Sequence, residues 1–156
     1  MKKILFICTG NICRSPSAEA IARHKAKNLG LENKFIFDSA GIEGFHVGEA
    51  PDARSVEIGR KNGVSFFGIF ARKIKNSDFA DFDFLMAMDR GHQEKLLMIS
   101  PQEYKQKIKL FLPFCKAVDL MGEEVIDPYY KDEESFKKVF FVIDSALENF
   151  FKNFAK

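Results

Sequence analysis

The chain has 156 residues, with 24 Lys and Arg against 22 Asp and Glu, and a formal net charge of +2. That length fits a single domain over residues 1–156 and buries roughly 68–70% of the unfolded surface, so a core forms without staples. The near-neutral balance, with 46% hydrophobic and 29% charged residues, suits a globular domain and argues against a nucleic-acid partner or attraction to acidic membranes.

The chain opens on Lys3–Ile7, a short apolar run that reads as a fully buried strand. The apolar stretch there is too short for a signal sequence, and no run approaches the 18 apolar residues of a membrane span. Cys8–Ser15 is small and polar, hence a loop, and a helix follows from Pro16, with Ala18, Ile21, Ala22, Ala26 and Leu29 at helical spacing and Gly30 past its end. Phe35–Phe37 is a second apolar run, closed by Asp38-Ser39-Ala40-Gly41. Pro51–Asn62 reads as a helix stopped by Gly63. Phe82–Met88 is a central strand, followed by a helix through Gln93–Ile99, and Ile108–Leu112 is a fourth strand. Asp132–Phe154 keeps Phe136, Val139, Phe140, Ile143, Leu147, Phe150 and Phe151 on one face of a long amphipathic helix.

Alternating strands and helices predict a three-layer α/β/α fold with a central four-stranded parallel sheet. In such sheets ligands bind beyond the carboxyl ends of the strands. The Cys8–Ser15 loop, between the first strand and the first helix, is therefore where a site belongs. The eighteen Phe and no Trp read as core material.

The three cysteines, Cys8, Cys13 and Cys115, are odd in number, too few for a disulfide scaffold and wrongly spaced for zinc. They predict a reduced, cytoplasmic protein in which a thiol is present for its chemistry. Cys115, in an apolar context, reads as structural. The sequence Cys8-Thr9-Gly10-Asn11-Ile12-Cys13-Arg14-Ser15-Pro16 has neither Walker spacing nor GxGxxG. It has the parts of an anion cradle: backbone N–H groups that converge, a helix N-terminus behind them, Gly10 and Asn11 as residues that accept positive φ, and the planar fork of Arg14. A helix N-terminus and a nearby arginine favour the thiolate of Cys8, and the Ser15 hydroxyl can donate to its sulfur. The chemistry that follows is in-line attack by Cys8 on a bound phosphoryl group, with the backbone amides and Arg14 stabilising the equatorial oxygens. A bare C-x5-R spacing is weak evidence, and Cys8 also fits a small buried hydrophobe and Arg14 a solvated helix residue. A general acid is found in Asp127-Pro128-Tyr129-Tyr130, where Pro128 holds Asp127 extended. The same segment also fits a plain turn with helix caps.

The nine-residue loop, Asp38-Ser39-Ala40-Gly41 and Asp127-Pro128-Tyr129 together resemble the low-molecular-weight protein tyrosine phosphatase family over almost the whole chain. The resemblance implies hydrolysis of phosphotyrosine and small aryl phosphates through a phosphocysteine. Cys8 is then the nucleophile, Arg14 the phosphate clamp and Asp127 the acid/base. Thr9, Gly10, Asn11, Ile12, Cys13, Ser15 and Ser39 form or support the phosphate loop, and Ile12, Phe45, Tyr129 and Tyr130 wall the substrate pocket. No metal or organic cofactor is implied. The implied partners are phosphotyrosine-containing proteins, with a tyrosine kinase as opposing enzyme. The chain then acts as a monomer or weak dimer without membrane insertion. Cys13 stands where the family forms a reversible disulfide with the nucleophile, which suits a low-pKa thiolate beside a second thiol.

Two positions depart from the family pattern. Phe45 replaces a frequent tryptophan on the pocket wall, and Ile69 replaces a histidine that braces the loop asparagine. Among rivals of the same fold, arsenate reductases need more cysteines, phosphoarginine phosphatases carry threonine at the position of Ile12, and phosphocysteine carrier domains lack the arginine. A silent phosphopeptide-binding module would need neither Cys8 nor Asp127. His24 and His92 read as solvent-facing, His46 as a neighbour of the pocket wall without a catalytic role, and Lys105, Lys107 and Lys109 as a solvated strand edge.

Overall fold

A computed structural model describes residues 1–154. Strand β1 (Lys2–Cys8) leads into helix α1 (Arg14–Asn28) and strand β2 (Phe35–Gly41). Helices α2 (Ala53–Lys61) and α3 (Asn76–Asp81) precede strand β3 (Phe84–Ala87), helix α4 (Arg90–Ile99) and, after a 3-10 turn over Gln102–Lys107, strand β4 (Ile108–Leu110). The short helices α5 (Phe111–Phe114) and α6 (Val118–Met121) connect to the long helix α7 (Glu133–Phe154).

The sheet is all parallel, in the order β2-β1-β3-β4, as the alternation of elements predicts. Parallel strands need crossovers that cover both faces, and the side chains of β1 divide accordingly. Ile4, Phe6 and Cys8 join one apolar cluster with Ile21, Phe136, Phe140 and Phe151, and Leu5 and Ile7 join another with Phe79, Leu96 and Ile108. The first cluster packs under α1 and α7, the second under α3 and α4. Much of the phenylalanine lies in the first. Phe6 stacks on Phe37 at a centroid distance of 6.0 Å, and Phe35 meets Phe150, Phe151 and Phe154 of α7 at 5.9, 5.7 and 4.7 Å.

Several local readings are corrected. The fourth strand ends at Leu110, because Phe111–Phe114 turn into a helix whose Phe111 and Leu112 are buried. Helix α4 starts three residues earlier than its periodicity suggests, because the Asp89 side chain accepts the His92 N–H and caps it. Helix α3 was not anticipated; it is a short turn whose Lys75 N–H is held by Asp78. The lysine alternation is a strand edge only at Lys109, which lies in the edge strand β4. Lys105 and Lys107 lie in the 3-10 turn, and the Lys107 ammonium donates to the carbonyls of Phe79 and Ala80 at 2.8 and 3.2 Å. No helix among the described residues is long and apolar enough to cross a membrane.

Candidate active site

The carboxyl end of β1 delivers Cys8 to the head of the sheet, and α1 begins six residues later. The intervening loop is tied at successive points. The N–H groups of Ile42 and Glu43 donate to the carbonyls of Cys8 and Thr9 at 3.0 and 2.9 Å, and the Asp52 N–H donates to the carbonyl of Ile12 at 2.7 Å. Gly41 permits the second of these approaches, since a Cβ there would stand 2.8 Å from the Thr9 carbonyl oxygen. Asn11 adopts the left-handed conformation, φ 59°, as the loop chemistry predicts. Gly10 does not take positive φ. It leaves room for His46, whose ring would have to shift because a Cβ would come 2.9 Å from its Cδ2.

Inside the loop the hydrogen bonds have a direction. The Arg72 N–H donates to Oδ1 of Asn11 at 3.0 Å, and Nδ2 of Asn11 donates to Oγ of Ser15 at 2.8 Å. Because Ser15 Oγ already accepts from Asn11, its own proton is free for the Cys8 sulfur, 2.9 Å away. Cys8 is 3% exposed, and Asn11 and Ser15 are fully buried. Helix α1 supplies no side-chain cap and no acidic residue in its first turn. Its leading N–H groups and positive dipole end therefore face the loop unopposed.

Arg14, the first residue of α1, is buried with its guanidinium fork held in place. Nη1 donates to Oδ2 of Asp89 at 2.8 Å and to the carbonyl of Val125 at 2.9 Å, and Nη2 lies 3.5 Å from Oδ2 of Asp127. Burial works against the Asp89 carboxylate, but the His92 N–H and Arg14 outweigh it and hold its pKa below the usual value. The Asp127 side chain is 45% exposed. Its Oδ1 accepts the Tyr129 N–H at 3.1 Å, an Asx turn that fixes the carboxylate at the rim.

A cleft of about 130 Å³ opens above the sulfur. Its floor is the Cys8–Arg14 loop and its walls are Ile12, Phe45, His46, Asp127, Tyr129 and Tyr130. Phe45 and Tyr130 are 75% and 92% exposed, which places both at the mouth. His46 is turned by a 2.6 Å contact from Nδ1 to Glu49 and lies 6.1 Å, centroid to centroid, from Tyr129. A larger apolar hollow of about 540 Å³, lined by Pro51, Val56 and Phe66–Phe70, has no comparable set of reactive groups. No group of three His, Cys, Asp or Glu among the described residues is placed to hold a metal ion.

The structure thus brings Cys8, Arg14, Asp127, Thr9, Gly10, Ile12, Cys13, Phe45, Tyr129 and Tyr130 to one cleft, with Asn11 and Ser15 directly beneath it. Ser39, expected to support the loop, is not among the residues lining the cleft. Its hydroxyl donates to Oε1 of Glu19 at 2.6 Å, so its single proton is already committed. Glu19 is buried and also pairs with Arg23. Burial raises its pKa to about 7, against the Ser39 hydrogen bond and the Arg23 charge. Ile69, at the departed position, is buried in the apolar core. The Asn11 carboxamide is braced instead by the Arg72 backbone, and the Arg72 guanidinium is gripped by Asp78 at 3.0 and 3.1 Å and by Asp38 at 3.1 Å.

His92 corrects another expectation. It is 5% exposed rather than solvent-facing, and its Nε2 lies 2.8 Å from Oγ1 of Thr9. Sequence reasoning also missed Asp89, Glu19, Arg72 and the Val125 carbonyl. Asp89 carried a usable signal, as a carboxylate at the end of a predicted central strand. The Val125 carbonyl carried none, since a backbone acceptor is invisible in sequence.

A thiol at the base of an amide-lined loop, a buried arginine fork and a rim carboxylate, all at the head of a parallel sheet, define a cysteine-centred site for phosphoryl transfer. Residues 3–156 match the family of low molecular weight phosphotyrosine protein phosphatases. The low molecular weight phosphotyrosine protein phosphatase of Schizosaccharomyces pombe is 38% identical over 154 residues, covering 98% of this chain and 97% of the relative. A solved protein tyrosine phosphatase from Entamoeba histolytica superposes with a TM-score of 0.91 at 38% identity, over 99% of this chain and 97% of that one. Wzb of Vibrio vulnificus, solved in complex with benzylphosphonate, superposes with a TM-score of 0.82 at 29% identity, over 97% and 98% of the two chains. The chain belongs to the low molecular weight phosphotyrosine protein phosphatase family and is a phosphatase enzyme.

Proposed function

We propose that the protein hydrolyses phosphotyrosine in proteins, and small aryl phosphates, through a phosphocysteine formed on Cys8. The observation that carries this reading is the directed chain from the Arg72 N–H through Asn11 and Ser15 to the Cys8 sulfur, beneath a cleft that also holds Arg14 and Asp127. In the first step the sulfur attacks phosphorus in line with the leaving oxygen. The S–P bond forms, the P–O(aryl) bond breaks, and Asp127 gives its proton to the departing phenolate. In the second step Asp127 takes a proton from water as the water oxygen attacks phosphorus, and the thiolate leaves. Loop amides and the Arg14 fork hold the three equatorial oxygens, whose charge is greatest in the transition state.

Substrate class is supported by the walls. Ile12, Phe45 and Tyr129 give apolar and aromatic surface to a phenyl ring, whereas a phosphoarginine guanidinium would need polar partners there. The benzylphosphonate bound by Wzb has the same pairing of aromatic group and phosphorus oxyanion. On this reading the opposing enzyme is a tyrosine kinase. Three free cysteines suit a reducing, cytoplasmic setting. Cys13, in the same loop, is proposed as the thiol that resolves an oxidised Cys8. Peroxide would convert the Cys8 thiolate to a sulfenic acid, and the Cys13 sulfur would displace water from it to leave a disulfide. Burial and the neighbouring Asp52 raise the Cys13 pKa, so this second step would be slow and favoured at alkaline pH.

The test is hydrolysis of p-nitrophenyl phosphate and of phosphotyrosine and phosphoarginine peptides, without added metal. Cys8→Ser should abolish turnover. Asp127→Ala should lower kcat by roughly 10²–10⁴ and leave inorganic phosphate affinity largely intact. Activity that survives Cys8→Ser, or faster release of phosphate from phosphoarginine, would overturn the reading. Mass spectra of peroxide-treated protein without a Cys8–Cys13 disulfide would overturn its redox part.

A further inference from the structure

We propose that His92 is a positioning residue for the phosphate loop: as a neutral imidazole it ties the Thr9 hydroxyl to the carboxylate that orients Arg14. The proposal rests on the reaction assigned above to Cys8 and Arg14. His92 lies in the first turn of α4, where Asp89 caps the helix by accepting the His92 N–H at 2.9 Å. The ring is buried, with Nε2 2.8 Å from Oγ1 of Thr9 and Nδ1 3.1 Å from Oδ1 of Asp89. That second contact is close enough for charge but outside hydrogen-bond geometry, and Nδ1 has no other partner.

The surroundings decide the proton. An unprotonated Nδ1 would turn its lone pair on the Asp89 carboxylate, so the proton belongs on Nδ1. Nε2 is then the acceptor and the Thr9 hydroxyl the donor. A second proton on the ring is opposed by burial and by Arg14 on α1, against the weaker pull of Asp89 and of Asp127 on the acid loop. Lys95, on the same helix, adds to the opposition, and the His92 pKa falls to about 4. The imidazole therefore stays neutral across the range in which the phosphatase reaction would run.

The two oxygens of Asp89 consequently serve two parts of one loop. Oδ2 holds the Arg14 fork at 2.8 Å, and Oδ1 sits against His92, which reaches Thr9, the residue next to Cys8. The Thr9 carbonyl is already fixed by the Glu43 N–H, so the His92 contact fixes its remaining freedom, the side chain. Amides and a guanidinium aimed at three equatorial oxygens matter most when those oxygens spread apart in the transition state. Loosening this brace should therefore cost turnover more than substrate affinity.

The full-length protein is assayed with p-nitrophenyl phosphate, with inorganic phosphate as competitor. His92→Leu is expected to lower kcat about tenfold, as is Thr9→Val, with KM and phosphate affinity within about twofold of the parent. His92→Gln, whose amide reaches the position of Nε2, should recover most of the loss. The double variant Thr9→Val with His92→Leu should be no slower than either single one. Multiplying effects in the double variant, or an unchanged kcat in Thr9→Val, would overturn the proposal. The Thr9→Val outcome decides the matter even where His92→Leu does not fold. Activity persisting in Cys8→Ser would instead overturn the reaction reading, so the two failures are distinguishable.

Discussion

The phosphate loop is braced from two sides, and the two braces are built differently. The β3–α4 side is ionic and close to the chemistry: Asp89 holds Arg14 directly, and His92 holds Thr9. The β2–α3 side acts at one remove. Arg72, gripped by Asp38 and Asp78, presents its backbone N–H to Asn11, and Asn11 orients Ser15. Glu19, buried on α1, accepts the hydroxyl proton of Ser39 on β2 and so ties the helix to that strand. The difference teaches a division of labour. A charge that must point at substrate is set by another charge, because a buried guanidinium without a partner is costly. A hydroxyl that must point at sulfur is set by neutral hydrogen bonds, whose direction is fixed by which atoms can donate.

Asp89→Ala is expected to have the largest effect. It leaves Arg14 buried without its carboxylate and should cost about 3–5 kcal/mol of stability, read as a loss in urea midpoint. kcat/KM should fall with it, and Asp89→Asn should lose less stability because an acceptor oxygen remains. On the other side, Asn11→Ala removes the acceptor for the Arg72 N–H and the donor to Ser15. It should cost about 1–3 kcal/mol and slow phosphate release, while the competing affinity of inorganic phosphate changes less. If Asn11→Ala proved the more damaging of the two, the ionic brace would not be the dominant one.

The pH dependence of stability is the sharpest discriminator, because Glu19, which lies beside one brace, and His92, which belongs to the other, titrate with opposite sign. Glu19, among Arg23, Asp38 and Arg72, has its pKa raised by burial from 4.5 to about 7. The folded state therefore binds more protons than the unfolded one in that range, and its contribution is present below pH 4.5 and lost as pH rises through 7. His92, lowered by burial and Arg14 from 6.5 to about 4, behaves oppositely. Its contribution is present above pH 6.5 and lost as pH falls through 4. Each is worth about 3 kcal/mol over its full range. Between pH 4.5 and 6.5 they oppose one another, and together they leave stability nearly level. Glu19→Gln should make Tm fall as the pH drops from 6.5 to 4.5, and His92→Asn should make it rise. Parallel slopes in the two variants would break the comparison.

Much of the site was legible because its chemistry is local. Cys8, Asn11, Arg14 and Ser15 fall within eight residues, and a loop between a strand and a helix constrains them to one place whatever the rest of the chain does. Asp127 was less legible: on its residues alone Asp127-Pro128-Tyr129 fits a plain turn as well as an acid loop, and the family resemblance was what singled it out. His92 was misread because a polar residue in a helix's first turn ordinarily faces water. Only the packing of α4 on β3 and β4 turns it inward to Thr9, 83 residues away.

The sequence by itself determined the alternating α/β architecture, the parallel sheet and the reactive loop, because hydrophobic period and local motif act over short spans. The tertiary structure alone decided how that loop is held. The acceptor for Arg14 at Val125, the backbone donor from Arg72 and the buried imidazole of His92 come from segments distant in sequence, and their effect depends on burial and direction. Those properties exist only once the strands are side by side, when low dielectric makes each unmatched polar group costly and each matched one directional.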